Sequence, residues 1–414
     1  MPGMTPTAQT TSAPPARDAA PLLRWRPEWT VAALVFALYG LWIALHFVMG
    51  HDVRDFIVIG KQAILRGHAS AVIRYDPRYI YRDPLGYDGQ YCYFLALDPV
   101  HARWYMDFPA YRYTRILYPM VARLLAFGQA SLVPYALVAV NWLAVPAGTL
   151  VVGAWLRRKG ISPWLALIYG LSLGMFIALN GDLTEPLAYA FVALAVYLLD
   201  FGAGRRVLAA GVSFALAILT RETTAVFAVI YGVALLASGA RESSLRQRAR
   251  ENWRRAASLL GLALTPFAAY KLFLLLWLGS LGTPASVRFE LVPFAGLAAY
   301  WPWSGFQYVE LLCVVAPALI CAVVALRTLR VDLLSPAIWT LLANVALFVL
   351  LLPASSYIDQ FASARLTLGV VLAALYCIPL CDARFAGRRT WLALCAALWL
   401  MFLPLQAVGM LHGL

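Results

Sequence analysis

What most constrains this chain is a succession of apolar runs long enough to cross a lipid bilayer, with the charges confined to the segments between them. A membrane helix needs about 20 predominantly apolar residues. Runs at 29–49, 131–156, 161–179, 184–200, 207–220, 223–239, 256–280, 306–326, 336–353, 365–381 and 390–411 meet or approach that length. Two of them, 207–220 and 223–239, are short and flank Arg221-Glu222, which suits a tight helical pair. Of the whole chain 62% is hydrophobic and only 13% charged, about half the charged share of a soluble domain. The expected fold is all-α: a polytopic transmembrane helical bundle of about eleven membrane helices, with a long first outer loop carrying interfacial helices.

A net charge of +13 would point to nucleic acid in a soluble protein. Here it follows the tendency of Lys and Arg to stay on the cytoplasmic side, and no nucleic-acid partner is expected. With the N-terminus inside, Arg24, Arg26, Arg157, Arg158, Lys159, Arg205, Arg206, the basic stretch 241–255, Arg327, Arg330 and Arg384 all fall in cytoplasmic segments. Outside the first loop, only Arg221, Lys271, Arg288 and Arg365 fall on the other face. The chain is thus placed in the cell inner (plasma) membrane as a multi-pass protein, N-terminus cytoplasmic and working face extracytoplasmic.

Residues 1–27, rich in Ala, Pro and Thr, read as a disordered cytoplasmic tail, and 28–414 as one transmembrane domain. The first apolar run ends in Gly50-His51-Asp52 and has no small-residue cleavage site, so it reads as an uncleaved helix. Residues 51–130 form the first extracytoplasmic loop, too short for much of a core of its own. Within it, Phe56–Leu65 and Tyr91–Leu97 suit short helices in the membrane interface, and 116–127 a juxtamembrane or re-entrant helix. Of the six cysteines only Cys92 lies in a polar loop, so neither a disulfide framework nor a zinc pattern is expected.

The acidic residues gather on the outer side, where topology does not require them. Asp52 and Asp55, in His51-Asp52-Val53-Arg54-Asp55-Phe56, share a face at helical spacing. A carboxylate beside apolar surface can serve as a general base; Asp52 as a plain helix cap is the competing reading. Gly86-Tyr87-Asp88-Gly89-Gln90-Tyr91 sets a carboxylate in a tight backbone between Tyr87, Gln90 and Tyr91, residues suited to a sugar ring. Arg112, Arg115 and Arg123 would share one stripe of a helix, facing either a phosphate or lipid headgroups. Asp182 and Glu185, in Asn180-Gly181-Asp182-Leu183-Thr184-Glu185-Pro186, stand at an outer helix start. Arg221 and Glu222 form a charged pair at a costly depth. Tyr357, Asp359 and Arg365 precede the tenth run, and Lys271 and Glu310 are placed to pair with each other. His51, His68 and His101 lack metal-ligand spacing.

This arrangement resembles the GT-C superfamily of membrane glycosyltransferases, especially bacterial enzymes that use polyprenyl-phosphate sugars, over roughly residues 29–381. Segments that carry the resemblance are Arg54-Asp55-Phe56 after the first helix, Gly86 to Tyr91 with Ala96-Leu97-Asp98-Pro99, Arg115-Ile116-Leu117-Tyr118-Pro119, Leu183-Thr184-Glu185-Pro186 and Leu219-Thr220-Arg221-Glu222. The resemblance implies a catalytic Asp at the start of the first loop, best matched by Asp55 and then Asp52, with Asp88 orienting the acceptor or acting as base instead. It implies a polyprenyl-phosphate sugar donor, a lipid or glycan acceptor, and arginines (Arg221, Arg365, Arg115) on the leaving phosphate. The adjacent acidic pair of many members is absent, so the pattern assigns no metal and no cofactor. A transporter or flippase of a lipid-linked or anionic substrate is the alternative; it would want charges at mid-membrane, whereas here they gather at one face. A third reading is a non-catalytic partner in envelope assembly.

Overall fold

The computed structural model describes residues 26–62, 80–81, 85–202, 205–237, 245–282, 288–329, 332–358 and 360–382, and these are almost entirely helical. The expected tail up to residue 25, His68, Asp359 and the expected last span 390–411 lie outside the described residues.

Helix α1 (Pro27–Val48) begins with a proline in its first turn and buries Val31, Val35, Tyr39 and Trp42. Their spacing of three and four residues makes one stripe along the helix. That stripe packs on the helix that begins at Val133. Its two ends are pinned: Glu28, almost fully buried, pairs with Arg157 at 3.0 Å, and Trp42 Nε1 donates to Asn180 Oδ1 at 2.7 Å.

After the first loop, with α2 (Gly89–Leu97) and α3 (Leu117–Leu125), comes α4 (Val133–Arg158). A bent pair follows, Pro163–Gly170 and Leu173–Asn180, inclined by 46°. Two packed helices, α5 (Glu185–Phe201) and α6 (Arg205–Thr220), lie inside the bundle, and α7 (Ala225–Ala237) and α8 (Leu245–Leu278) pack beside them. The C-terminal part holds α9 (Ala316–Leu329), α10 (Pro336–Val345), α11 (Gln360–Leu366) and α12 (Leu368–Asp382).

Among the described residues four helices are long and apolar enough to cross a membrane: Pro27–Val48, Ala130–Arg158, Asn252–Leu278 and Gln307–Leu329; the bent pair, taken as one, makes a fifth. Glu222–Ala237, Pro336–Leu350 and Leu368–Cys381 are apolar but shorter. Several expected spans are thus short helices. The run at 161–179 is broken where Leu171 and Ser172 leave the helix, the Ser172 hydroxyl bonding the Tyr169 carbonyl. The basic stretch read as a cytoplasmic loop is, from Leu245 onward, the first turns of α8.

The first loop also differs from expectation. Its start is a single 3-10 turn, Val53–Phe56, and the chain then runs into a two-residue strand, Ile59–Gly60, paired in parallel with Ile80–Tyr81. Helix α2 does not lie on the surface: all nine of its residues are buried. Together with Ile57, Ile59, Tyr105, Tyr113 and Tyr118 it forms an apolar cluster seated on α4 and on Leu274 of α8. The loop therefore has a core, completed by the bundle beneath it.

Candidate functional site

Two glycine contacts hold the Asp88 segment against the rest of the molecule. A side chain on Gly60 would run into the Leu85–Gly86 backbone, and one on Gly89 into the Gly181 carbonyl. Gln90 completes the seam: its Oε1 accepts from Gly60 N at 3.1 Å and its Nε2 donates to the Leu85 carbonyl at 2.9 Å. Gln90 is therefore a structural clamp, not a group that faces a ligand.

So placed, Asp88 stands between two guanidiniums. Arg112 Nη1 lies 2.8 Å from Asp88 Oδ1, and Arg365 Nη2 lies 2.6 Å from Oδ2. Arg112 also makes a bidentate pair with Asp107 at 2.8 and 2.7 Å and stacks over the Tyr91 ring at 4.0 Å. Arg365 stacks over the Tyr87 ring at 5.1 Å. Burial would raise the Asp88 carboxyl, but the charges of Arg365, Arg112 and Arg115 outweigh it and hold Asp88 well below the usual carboxylate range.

Next to this pair of bridges sit two more. Arg115 grips Glu222 with Nε and Nη2 at 3.0 and 2.8 Å, and its Nη2 also donates to the Tyr111 hydroxyl. Arg221, 2% exposed, lies 2.9 Å from Glu185, which is fully buried. Four arginines thus face Asp88, Asp107, Glu185 and Glu222. Hydrogen bonding in the cluster is incomplete on both sides: Arg365 Nε and Nη1, and Glu185 Oε1 3.8 Å from Nη1, have no hydrogen-bond partner among the described residues. Within the cluster there is free space of only about 20 Å³, room for about one water. Beyond Asp107, a cavity of about 440 Å³ is lined by Arg103, Trp104, Asp107, Phe108 and Leu278, among others.

Asp182 is different. It is fully buried, its φ is +47°, and neither carboxylate oxygen has a hydrogen-bond partner among the described residues. Burial pushes its carboxyl well above the usual carboxylate range.

At the outer end of α1, Asp52 caps the 3-10 turn and Asp55 reaches back to the Asp52 N–H at 2.8 Å. The capping reading of Asp52 is thus correct, and Arg54 pairs with Asp52 at 2.8 Å. Asp55 is 38% exposed and pairs with no arginine among the described residues; its neighbours are His46 and His51. The segment is tied to the Asp88 loop by the Tyr87 N–H, which donates to the Val58 carbonyl at 2.9 Å.

Compared with known proteins, the chain matches no family model, no curated protein and no solved structure.

Of the sequence candidates, the fold unites Asp88, Tyr87, Tyr91, Arg112, Arg115, Glu185, Arg221, Glu222 and Arg365. It does not build the arginine stripe. The helix carrying Arg112 ends there, Arg115 lies in the turn before α3, and Arg123 donates instead to the Ala96 and Leu97 carbonyls. Tyr357 is a buried structural residue whose hydroxyl donates to the Val349 carbonyl. Lys271 does not pair with Glu310: it bonds Thr114 Oγ1 and the Leu281 carbonyl, while Glu310 accepts from Ser363. Two participants escape sequence reasoning. Asp107, five residues before Arg112, is brought round by the turn that Pro109 starts. His46, five residues before His51, is hidden inside an apolar run.

Proposed function

We propose that this chain is a GT-C-type membrane glycosyltransferase. It would move a sugar from a polyprenyl-phosphate donor to an envelope lipid or glycan acceptor on the extracytoplasmic face. In this reading about eleven helices cross the membrane and the N-terminus is cytoplasmic. The observation that carries it is the cluster of Arg112, Arg115, Arg221 and Arg365, drawn from the first loop and from helix ends far apart in sequence. Planar guanidiniums with unused donors suit a phosphate, and they offset the charge that grows on the leaving group.

The donor phosphate would take over the Arg365 and Arg112 donors now shared with Asp88, and the sugar would lie in the cavity beyond Asp107. The acceptor hydroxyl attacks the anomeric carbon as the bond to the phosphate oxygen breaks. The electron pair leaves with the phosphate, and the acceptor proton goes to a carboxylate. Asp55 is the better base. Asp88 is held too acidic to draw a proton strongly and serves to position the arginines.

Purified protein in detergent, offered radiolabelled polyprenyl-phosphate sugars and envelope acceptor lipids, tests the reading. Transfer is expected, with turnover reduced ~10²–10⁴-fold in Asp55→Asn. An Asp55→Asn variant with undiminished turnover removes Asp55 from the mechanism. No transfer at all, with the lipid donor moved across vesicles, sinks the enzyme reading in favour of the transporter.

A further inference from the structure

His46, in the last turn of α1, His51 just after it, and Asp55 in the following 3-10 turn converge, each offering one ligand atom within 4.8 Å of the others. We infer that they form a binding site for a divalent transition-metal ion of the zinc class, joining the outer end of α1 to the first loop. The inference does not rest on the glycosyl-transfer reading, but it shares Asp55 with it: an ion on Asp55 Oδ2 would occupy the carboxylate proposed as base.

The separations point to an ion. His46 Nε2 lies 3.7 Å and His51 Nδ1 3.5 Å from the same atom, Asp55 Oδ2. Both are too long for good hydrogen bonds, which run at about 2.7–3.2 Å for nitrogen and oxygen. They are close to the edge of a tetrahedron around zinc: with bonds of about 2.0–2.1 Å, neighbouring ligand atoms stand roughly 3.3 Å apart. All three ligand atoms lie within 4.8 Å of one another, so the side chains would close on the ion as it binds.

The alternative is a plain ion-pair triad, which would take up no zinc, built on the same two neighbouring imidazoles. Their rings are stacked, centroids 4.6 Å apart at 19°.

The surroundings supply what a ligand set needs. The capping N–H of Asp52 fixes Asp55 Oδ2 at 2.8 Å, and the Phe56 ring lies 4.5 Å from that of His46, so two ligands are oriented from behind. Without an ion, His46 Nε2 can donate to the Asp52 carbonyl at 3.3 Å; with the proton on Nδ1, the same nitrogen is a ligand. His51 and Asp55, 33% and 38% exposed, form the open side through which an ion enters. Two imidazoles and one carboxylate select zinc, cobalt or nickel over magnesium or calcium, which prefer all-oxygen sets.

The test is calorimetric titration of the full chain in detergent, stripped with chelator, with Zn²⁺ and in parallel with Mg²⁺, together with metal content after gel filtration. About one zinc per chain is expected at a mixed nitrogen–oxygen site of this kind, with no comparable uptake of magnesium. His51→Ala and His46→Ala should each weaken zinc binding by at least the ~10–100-fold that loss of an outer-shell partner costs elsewhere. His101→Ala, whose imidazole is held by Asp98 at 2.7 Å, should leave binding unchanged. His51 is part-exposed, so His51→Gln should keep the fold even if His46→Ala does not. Absence of zinc uptake, or uptake untouched in both His51 variants, overturns the site. Zinc uptake and sugar transfer are separate readouts, so failure of the site and failure of the proposed reaction can be told apart, although both involve Asp55.

Discussion

The first loop carries two acidic centres of opposite character. Asp88 is clamped between Arg112 and Arg365, mostly buried, and its ion pairs fix the loop to α11 at the far end of the sequence. Asp55 is over a third exposed and, among the described residues, pairs with no arginine and is held by a local cap and two imidazoles. Both are Asp residues in turns, yet one is bound into the tertiary structure and the other is available for chemistry. What separates them is the partner each receives: a guanidinium from a distant helix consumes a carboxylate, whereas a backbone N–H only orients it.

That contrast can be broken first at its buried end. Arg221→Ala takes from the fully buried Glu185 its near partner and leaves only Arg365 Nη1, 3.8 Å away; removal of one partner of a buried pair costs up to ~3–5 kcal/mol. Chemical unfolding in mixed micelles should show a loss of that order. The same measurement on Asp55→Asn should show little change. Equal losses in the two would mean that the exposed centre is as much a part of the scaffold as the buried one.

The glycine seam comes next. Gly89→Ala drives a methyl group into the Gly181 carbonyl, and overpacking of this kind costs ~1–3 kcal/mol. It should also displace Asp88 from its arginines, seen as a destabilisation that Asp88→Asn no longer adds to. Full additivity of the two substitutions would show that the seam does not position Asp88.

Asp88 and Asp182 should titrate in opposite senses. The folded-state value of Asp88 is depressed, so its contribution is present above the unfolded value of about 3.9 and lost only as the pH falls through the folded one. That of Asp182 is raised. Its buried neutral form is favoured in acid, and stability is lost as the pH climbs from about 3.9 towards the folded value, by up to ~1.4 kcal/mol per pH unit. Asp182→Asn should therefore match the wild type in acid and exceed it increasingly on going alkaline. Melting curves from pH 5 to 9 check this; parallel curves for the two proteins would place Asp182 in contact with a compensating group.

The smallest effect is expected at the cap. Asp52→Ala removes the N-cap and its half of the capping box, worth ~0.5–2 kcal/mol. The Asp52 N–H that orients Asp55 remains in that variant, so the change should register in thermal stability and leave Asp88 and its arginines untouched.

The sequence by itself determined the apolar character of the chain, its helical class and most members of the charged cluster. Apolar runs have no alternative in lipid to helices that satisfy their own backbone. Charges set in an apolar chain are costly enough that Arg221, Glu185 and Asp88 stand out from the order of residues alone. Partner choice was decided only by the tertiary structure. Arg365 meets Asp88 across 277 positions, and nothing along the chain encodes that distance. Arg112 and Arg115 converge, while Arg123 turns away to cap the end of α2, because α3 starts only at Leu117. A periodicity argument assumes one continuous helix, and Pro109 and the turn at 113–116 break it. The burial of α2, the bend at Leu171-Ser172 and the meeting of His46 with Asp55 are likewise products of packing. Hydropathy reports how much each segment prefers to leave water; which neighbour it leaves water against is settled by shape, one glycine contact at a time.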